Sequence, residues 1–283
     1  TFINIMINII YAVGLNLILG VAGQFSLGHA GFIAIGSYSG AILGKMMNGL
    51  PGLFAGMAVG VVISVIVAFL VGLPTLRLKG DYLAIATLGV AEIIRVAVTN
   101  MKITNGAAGI SGVPLTNTWT ITYIALVVTT ILILNYTFSS AGRATYAVLQ
   151  DEIAAESMGV QVTKYKILAF VLGAATASIG GTLSATTLGA VTPSDFTFMK
   201  SIDVLIIVVF GGIGSFTGSF VAAVLLGIIN LVLQPFGQLR MIIYAVALIL
   251  IMIFRPGGLL GTWEFKLGDF KFSKKKETKE SGK

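Results

Sequence analysis

Glu92 and Arg95 stand three residues apart in "GVAEIIRV", on one helical face inside an apolar run. Charged groups in hydrocarbon are costly unless paired or hydrated. The pair therefore has two readings: a self-neutralising contact between or within helices, or a polar wall along which a solute crosses. A second group lies in "GVAGQFSLGHAGF", Gly20–Phe32, where Gln24, Ser26 and the chain's only histidine, His29, interrupt an apolar pattern. A neutral imidazole there can serve a buried helix break, or handle a proton or solute. With no cysteine and one histidine, a Cys/His metal site is excluded. No Gly-x-x-x-x-Gly-Lys-Ser/Thr phosphate loop is present; Gly40–Lys45 has the wrong spacing and lacks the hydroxyl residue after the lysine.

A third group is "SSAGRATYAVLQDEIAAESMGVQVTKYK", Ser139–Lys166. Ala147, Val148, Ala154, Ala155 and Met158 fall on one helical face, Asp151, Glu152 and Glu156 are acidic, and Gly159 is placed as a stop. The pattern predicts one short helix between two spans, whose apolar side needs a cover. Its acids disfavour an anionic lipid surface and point to a groove on a partner protein. Asp195 and Asp203 flank Lys200 in "VTPSDFTFMKSID", read either as a solvated loop or as a contact surface for another protein. "TNGAAGISGVP" reads as a flexible loop of the same kind.

The elements that position these groups are membrane helices. The chain is 56% hydrophobic and 10% charged, against roughly one-quarter charged in soluble domains, and its apolar runs recur at the length of a bilayer span. Nine segments are predicted, at Phe2–Val21, Ala30–Met46, Gly52–Leu73, Tyr82–Val98, Trp119–Phe138, Lys166–Ala190, Ser201–Ile213, Thr217–Leu233 and Met241–Phe254. Several are short and glycine-rich, which predicts broken or re-entrant helices. The fold is all-α, a polytopic bundle over residues 1–260 with a basic tail over 261–283. Arg77 and Lys79, then Arg143, Lys164 and Lys166, then the tail hold most of the cationic side chains. By the positive-inside rule those connections are cytoplasmic. Thr1 then lies outside, and one upstream helix would bring the intact protein to about ten spans. From Arg255 onward eight Lys/Arg face four acids; the net charge of +7 is thus largely a membrane flank, with no nucleic-acid partner implied.

Small residues recur at every fourth position, at Gly36, Gly40 and Gly44, at Gly56 and Gly60, and at Gly173, Ala177, Gly181 and Ala185. Such stripes let helix backbones approach closely in lipid. "GQFSLGHAGF" has a faint echo in "GIGSFTGSF", Gly212–Phe220, which puts Ser215 three residues after a glycine as Ser26 follows Gly23. Paired interruptions of this kind mark the broken helices of transporters.

"AAESMG" resembles the EAA motif of ABC importer permeases, whose Ala-Ala-x-x-x-Gly core matches Ala154, Ala155 and Gly159; the motif's glutamate position holds Ile153, with Glu152 one residue earlier. "GLNLILGVAGQFSLGHAGFIAIGSYSGAIL", "LRLKGDYLAIATLGVAEIIRV", "TNGAAGISGVP" and "VVFGGIGSFTGSFVAA" occur in the same order in branched-chain amino-acid ABC transporter permeases, the M-type paralogue above all. The resemblance covers about Gly14 to Leu260. It implies a multi-pass inner-membrane permease that catalyses no bond chemistry and pairs with a second permease subunit, identical or different. It also implies two cytoplasmic ATPases that bind ATP and Mg, and an extracytoplasmic substrate-binding protein. Asp151, Glu152, Ala154, Ala155, Glu156 and Gly159 would couple to the ATPases. Gln24, Ser26, His29, Glu92, Arg95 and Ser215 would form the helix breaks or the translocation path. Urea, amides or other small solutes are alternative cargoes, and an ion-coupled secondary transporter is the competing class.

Overall fold

The computed structural model describes residues 2–233 except 48, 77 and 79, and beyond 233 only 246, 249, 257–259 and 261. The predicted segment Met241–Phe254 and the tail 261–283 therefore lie almost wholly outside the described residues. Within them the order is α1 (Phe2–Asn16), α2 (His29–Met46), α3 (Leu50–Thr75), α4 (Asp81–Asn100), α5 (Trp119–Phe138), α6 (Ser140–Gln150), α7 (Glu152–Ser157), α8 (Val162–Leu188), α9 (Phe198–Gly211) and α10 (Phe216–Val232). The eight predicted segments that fall here each coincide with a helix to within a few residues.

The chain is a multi-pass membrane protein. Five described helices, α1 with its extension to Val21, α3, α4, α5 and α8, are long and apolar enough to cross a bilayer. At 1.5 Å per residue α9 and α10 reach only about 21 and about 26 Å, short of a hydrocarbon core of about 30 Å. They meet instead at a 118° bend, where Gly212 (φ +111°) and Gly214 (φ +90°) adopt conformations that favour glycine.

α8 is the centre of the bundle, with α1, α2 and α3 packed around it. The small-residue stripes make this possible. Gly36 lies on the Ser178 backbone and Gly40 on Thr182, while Gly60 and Gly56 of α3 come against Gly36 and Gly40, with Gly60 also meeting Ser178. Two hydrogen bonds fix the α2–α8 seam: Ser37 Oγ donates to the Gly181 carbonyl and Thr182 Oγ1 to the Gly36 carbonyl, both at 2.9 Å. In lipid, such packing and interhelical bonds replace the hydrophobic force that assembles soluble bundles. The outer faces of α3 and α5 are apolar and exposed, with Val62, Ile66, Val128 and Ile131 pointing away from the bundle, as suits a lipid or subunit boundary.

Two connections at one end of the bundle are more ordered than the sequence suggests. Ile110 and Ser111 pair antiparallel with Val191 and Ala190, so that "TNGAAGISGVP" and the segment after α8 form strands β1 (Ile110–Ser111) and β2 (Ala190–Val191). Lys45 Nζ, at the end of α2, donates to the Ser111 carbonyl at 2.9 Å. The other end carries α6 and α7.

Candidate functional site: two helix breaks and the segment that touches them

The α1–α2 junction is the interruption expected from its glycines. After Asn16 the helix widens into a π-turn over Leu17–Val21 and stops, with Gly23 at φ +66°; π-turns of this kind are common at functional positions. The chain then runs without helical bonds until His29, which frees backbone amides in a buried place. Ser26 Oγ accepts from Gly28 N at 3.3 Å. Two other helices supply the rest: Thr87 Oγ1 of α4 accepts from Leu27 N at 3.1 Å, and Ser201 Oγ of α9 accepts from Ala30 N at 2.9 Å. The break is therefore satisfied chiefly by residues far away in sequence.

His29 has a different place. It is buried, and neither ring nitrogen makes a well-formed hydrogen bond. The Tyr11 backbone lies before the imidazole, and Ser184 lies near the Tyr11 hydroxyl, without closing good bonds to either. Among the described residues no group of three or more metal-ligating side chains occurs.

The second break, Gly212–Ser215, lies against the first. A side chain at Gly20 would overlap the Gly214 backbone, and Gly214 itself is held at φ +90°. Asn16 joins the two. Its amide nitrogen donates to the Ser215 carbonyl (2.8 Å) and to Ser219 Oγ (3.0 Å), and its oxygen accepts from Gly214 N (2.9 Å). Ser215 caps α10 by accepting from Gly218 N at 2.9 Å. The residues that reach the second break, Asn16 and Gly20, precede the echoing stretch Gly23–Phe32, so the two breaks meet through the end of the first helix.

Ser139–Lys166 is not one helix. Asp151 is extended (φ −155°, ψ +113°) and divides α6 from α7; its Oδ1 accepts from Ile153 N and Ala154 N at 2.8 and 3.0 Å, capping α7. A carboxylate that can bond the freed amides of a new helix start competes with continuation of the old one. The division also splits the expected apolar face: Val148 and Ala155 are buried, whereas Ala147, Ala154 and Met158 are exposed. Gly159, at φ +83°, ends α7.

This segment reaches the first break by two routes. Leu149 of α6 packs on Gly23. Glu152 forms an ion pair with Lys166 in the first turns of α8, and the Lys166 carbonyl accepts from Gln24 Nε2 at 2.9 Å. Glu92 and Arg95 are elsewhere. They pair with each other along α4, with side-chain exposures of 50% and 29%.

The profile of the family described as "Branched-chain amino acid transport system / permease component" matches residues 1–254. The chain belongs to this family. A high-affinity branched-chain amino acid transport system permease protein LivM of Salmonella typhimurium is 37% identical, over 90% of this chain and 68% of the relative. LivM of Escherichia coli K12 is 36% identical over the same shares. LivH of Salmonella typhimurium is 25% identical over 88% of this chain and 90% of its own. The permease therefore sits with the M-type paralogues rather than the H-type. No solved structure gives a significant match.

Proposed function

We propose that this permease subunit imports branched-chain amino acids delivered by an extracytoplasmic binding protein. It pairs with a second permease and is driven by two ATPases, which bind ATP and Mg and dock at α6 and α7. That end of the bundle is then cytoplasmic and the β1–β2 end external, in line with the basic loops at the first and their scarcity at the second. The observation that carries the reading is the join between α7 and the broken helix. Ile153 and Met158, 76% and 84% exposed beside Asp151 and Glu156, offer an apolar patch with an acidic rim to a partner. A displacement of that patch reaches Gln24 through Glu152 and Lys166.

The test is reconstitution in proteoliposomes with the cognate second permease, ATPases and binding protein. Leucine uptake that requires ATP and all partners is expected. Gly159→Val should lower uptake while ATP hydrolysis continues, whereas Gly159→Asn, which tolerates a positive φ, should retain coupling. Uptake driven by an ion gradient without ATPases overturns the reading.

A further inference from the structure

A cavity of about 220 Å³ opens between α1, α2, α8 and α9, beneath the β2 strand. It is smaller than the roughly 300–1,000 Å³ of sites for drug-sized ligands, which suits a solute of a few heavy atoms. Tyr11 on its wall lies level with Gly180, eight residues before the end of α8 at Leu188, so it sits about 12 Å inside the bundle.

The lining divides by chemistry. Lys200 and Asp195 supply one charge of each sign, and Tyr11, Ser37 and Ser184 supply hydroxyls. Ile33, Leu188, Val191 and Phe196 supply apolar surface. Lys200 Nζ stands 5.5 Å from the centroid of the Tyr11 ring, which holds the ammonium group by its π face. Asp195 uses Oδ2 to accept from Thr192 N and Thr192 Oγ1 at 2.9 and 2.8 Å, and this fixes the carboxylate on its short helical turn. Neither residue is in an ion pair among the described residues, and the Tyr11 hydroxyl, 1% exposed with its residue, has no well-formed hydrogen bond. Asp203 lies one turn further along α9 and does not line the cavity.

A fixed cation, a fixed anion and an unpartnered buried hydroxyl beside apolar walls match a small zwitterion with an aliphatic side chain. The geometry points to an amino-acid subsite within the permease itself, in which Lys200 receives the α-carboxylate, Asp195 the α-ammonium, and Ile33, Leu188 and Val191 the aliphatic branch. The permease thereby takes part in selection after the binding protein releases its cargo. This rests on the transport reading above.

The permease complex in nanodiscs, without binding protein, is titrated with radiolabelled L-leucine, and ATP-driven leucine uptake is measured separately with the binding protein present. Leucine should bind and be displaced by valine, but not by isopentylamine or 4-methylpentanoate, each of which lacks one charged group. Lys200→Met should weaken binding about tenfold or more, while Lys200→Arg, which keeps the charge and reports on folding, stays within about threefold. Asp195→Asn should weaken leucine binding, and the leucine that still binds should remain displaceable by valine. No leucine binding by the wild type up to its solubility limit overturns the subsite, as does binding unchanged in Lys200→Met. If uptake is intact in either case, the transport reading stands. Absence of ATP-driven uptake in the wild type overturns that reading, and the binding arm then still decides the subsite.

Discussion

Glu152 of α7 and Lys166 of α8 form an ion pair whose lysine side chain is only 11% exposed, and the same Lys166 gives its carbonyl to Gln24 at the end of the broken helix. One residue thus joins a surface segment to a buried interruption. A lysine this sheltered loses more when its counter-charge is removed than an exposed one does, because it keeps its charge in a place that water reaches poorly. Glu152→Gln or Lys166→Met should lower ATP-driven uptake several-fold while ATP hydrolysis persists. The exchange Glu152→Lys with Lys166→Glu should restore part of it. Uptake and hydrolysis measured in the same proteoliposomes check both outcomes.

Asn16 is the hinge between the two breaks. All its side-chain bonds are to residues that are themselves in or beside Gly214–Ser219. Asn16→Ala leaves the Gly214 amide without its acceptor, at about 1–3 kcal/mol, and takes one donor from the Ser215 carbonyl, which keeps its bonds from Ser219. The purified permease should therefore unfold at a clearly lower temperature, and Asn16→Asp should not rescue it, since a carboxylate cannot donate to Ser215 and Ser219. A thermal melt in detergent gives the comparison.

The membrane helices were legible in the sequence because a bilayer demands a long apolar run wherever the chain crosses it, and the α1–α2 break because Gly20, Gly23, Gln24 and Ser26 interrupt such a run. The partners at the break were not legible. Thr87 and Ser201 reach it from 60 and 171 residues away, and Asn16 reaches Ser215 across 199; periodicity carries no record of such distances. The same holds for Lys200. Between two acids in a turn-rich stretch it reads as a loop residue, yet it sits in the first turn of α9 against a tyrosine that lies far earlier in the chain. Asp151 misled for a local reason. Its spacing continues the helical pattern, while its side chain is used to start a new helix.

The small-residue stripes make a sharper prediction than their spacing alone. A methyl group on Gly36 would overlap the Ser178 backbone, which cannot swing aside, whereas one on Gly89 of α4 meets nothing within 4 Å. Gly36→Ala should cost about 1–3 kcal/mol by overpacking the α2–α8 seam. Gly89→Ala should be neutral or stabilising by up to about 1 kcal/mol through helix propensity. Melting both variants side by side separates tight packing from a mere preference for small residues, since a stripe without contact would give the two the same result.

Glu92 and Arg95 yield a test in which two changes do less harm than one. The two side chains pair along α4, Glu92 exposed and Arg95 half-buried at the edge of the packed face. Arg95→Met leaves Glu92 without its counter-charge in a membrane segment, and Glu92→Leu does the same to Arg95; an unpaired charge at that depth is costly by the scales for membrane insertion. Each single variant should lower the amount of folded permease in the membrane. The double variant, apolar at both positions, should recover most of it and should transport leucine at near the wild-type rate per folded molecule, because the pair stands away from the α1–α2 break and from the cavity beside Lys200. Quantifying membrane yield and uptake for the four proteins of this cycle gives the coupling between the two residues. A double variant that inserts normally but fails to transport would place the pair on the solute's route instead.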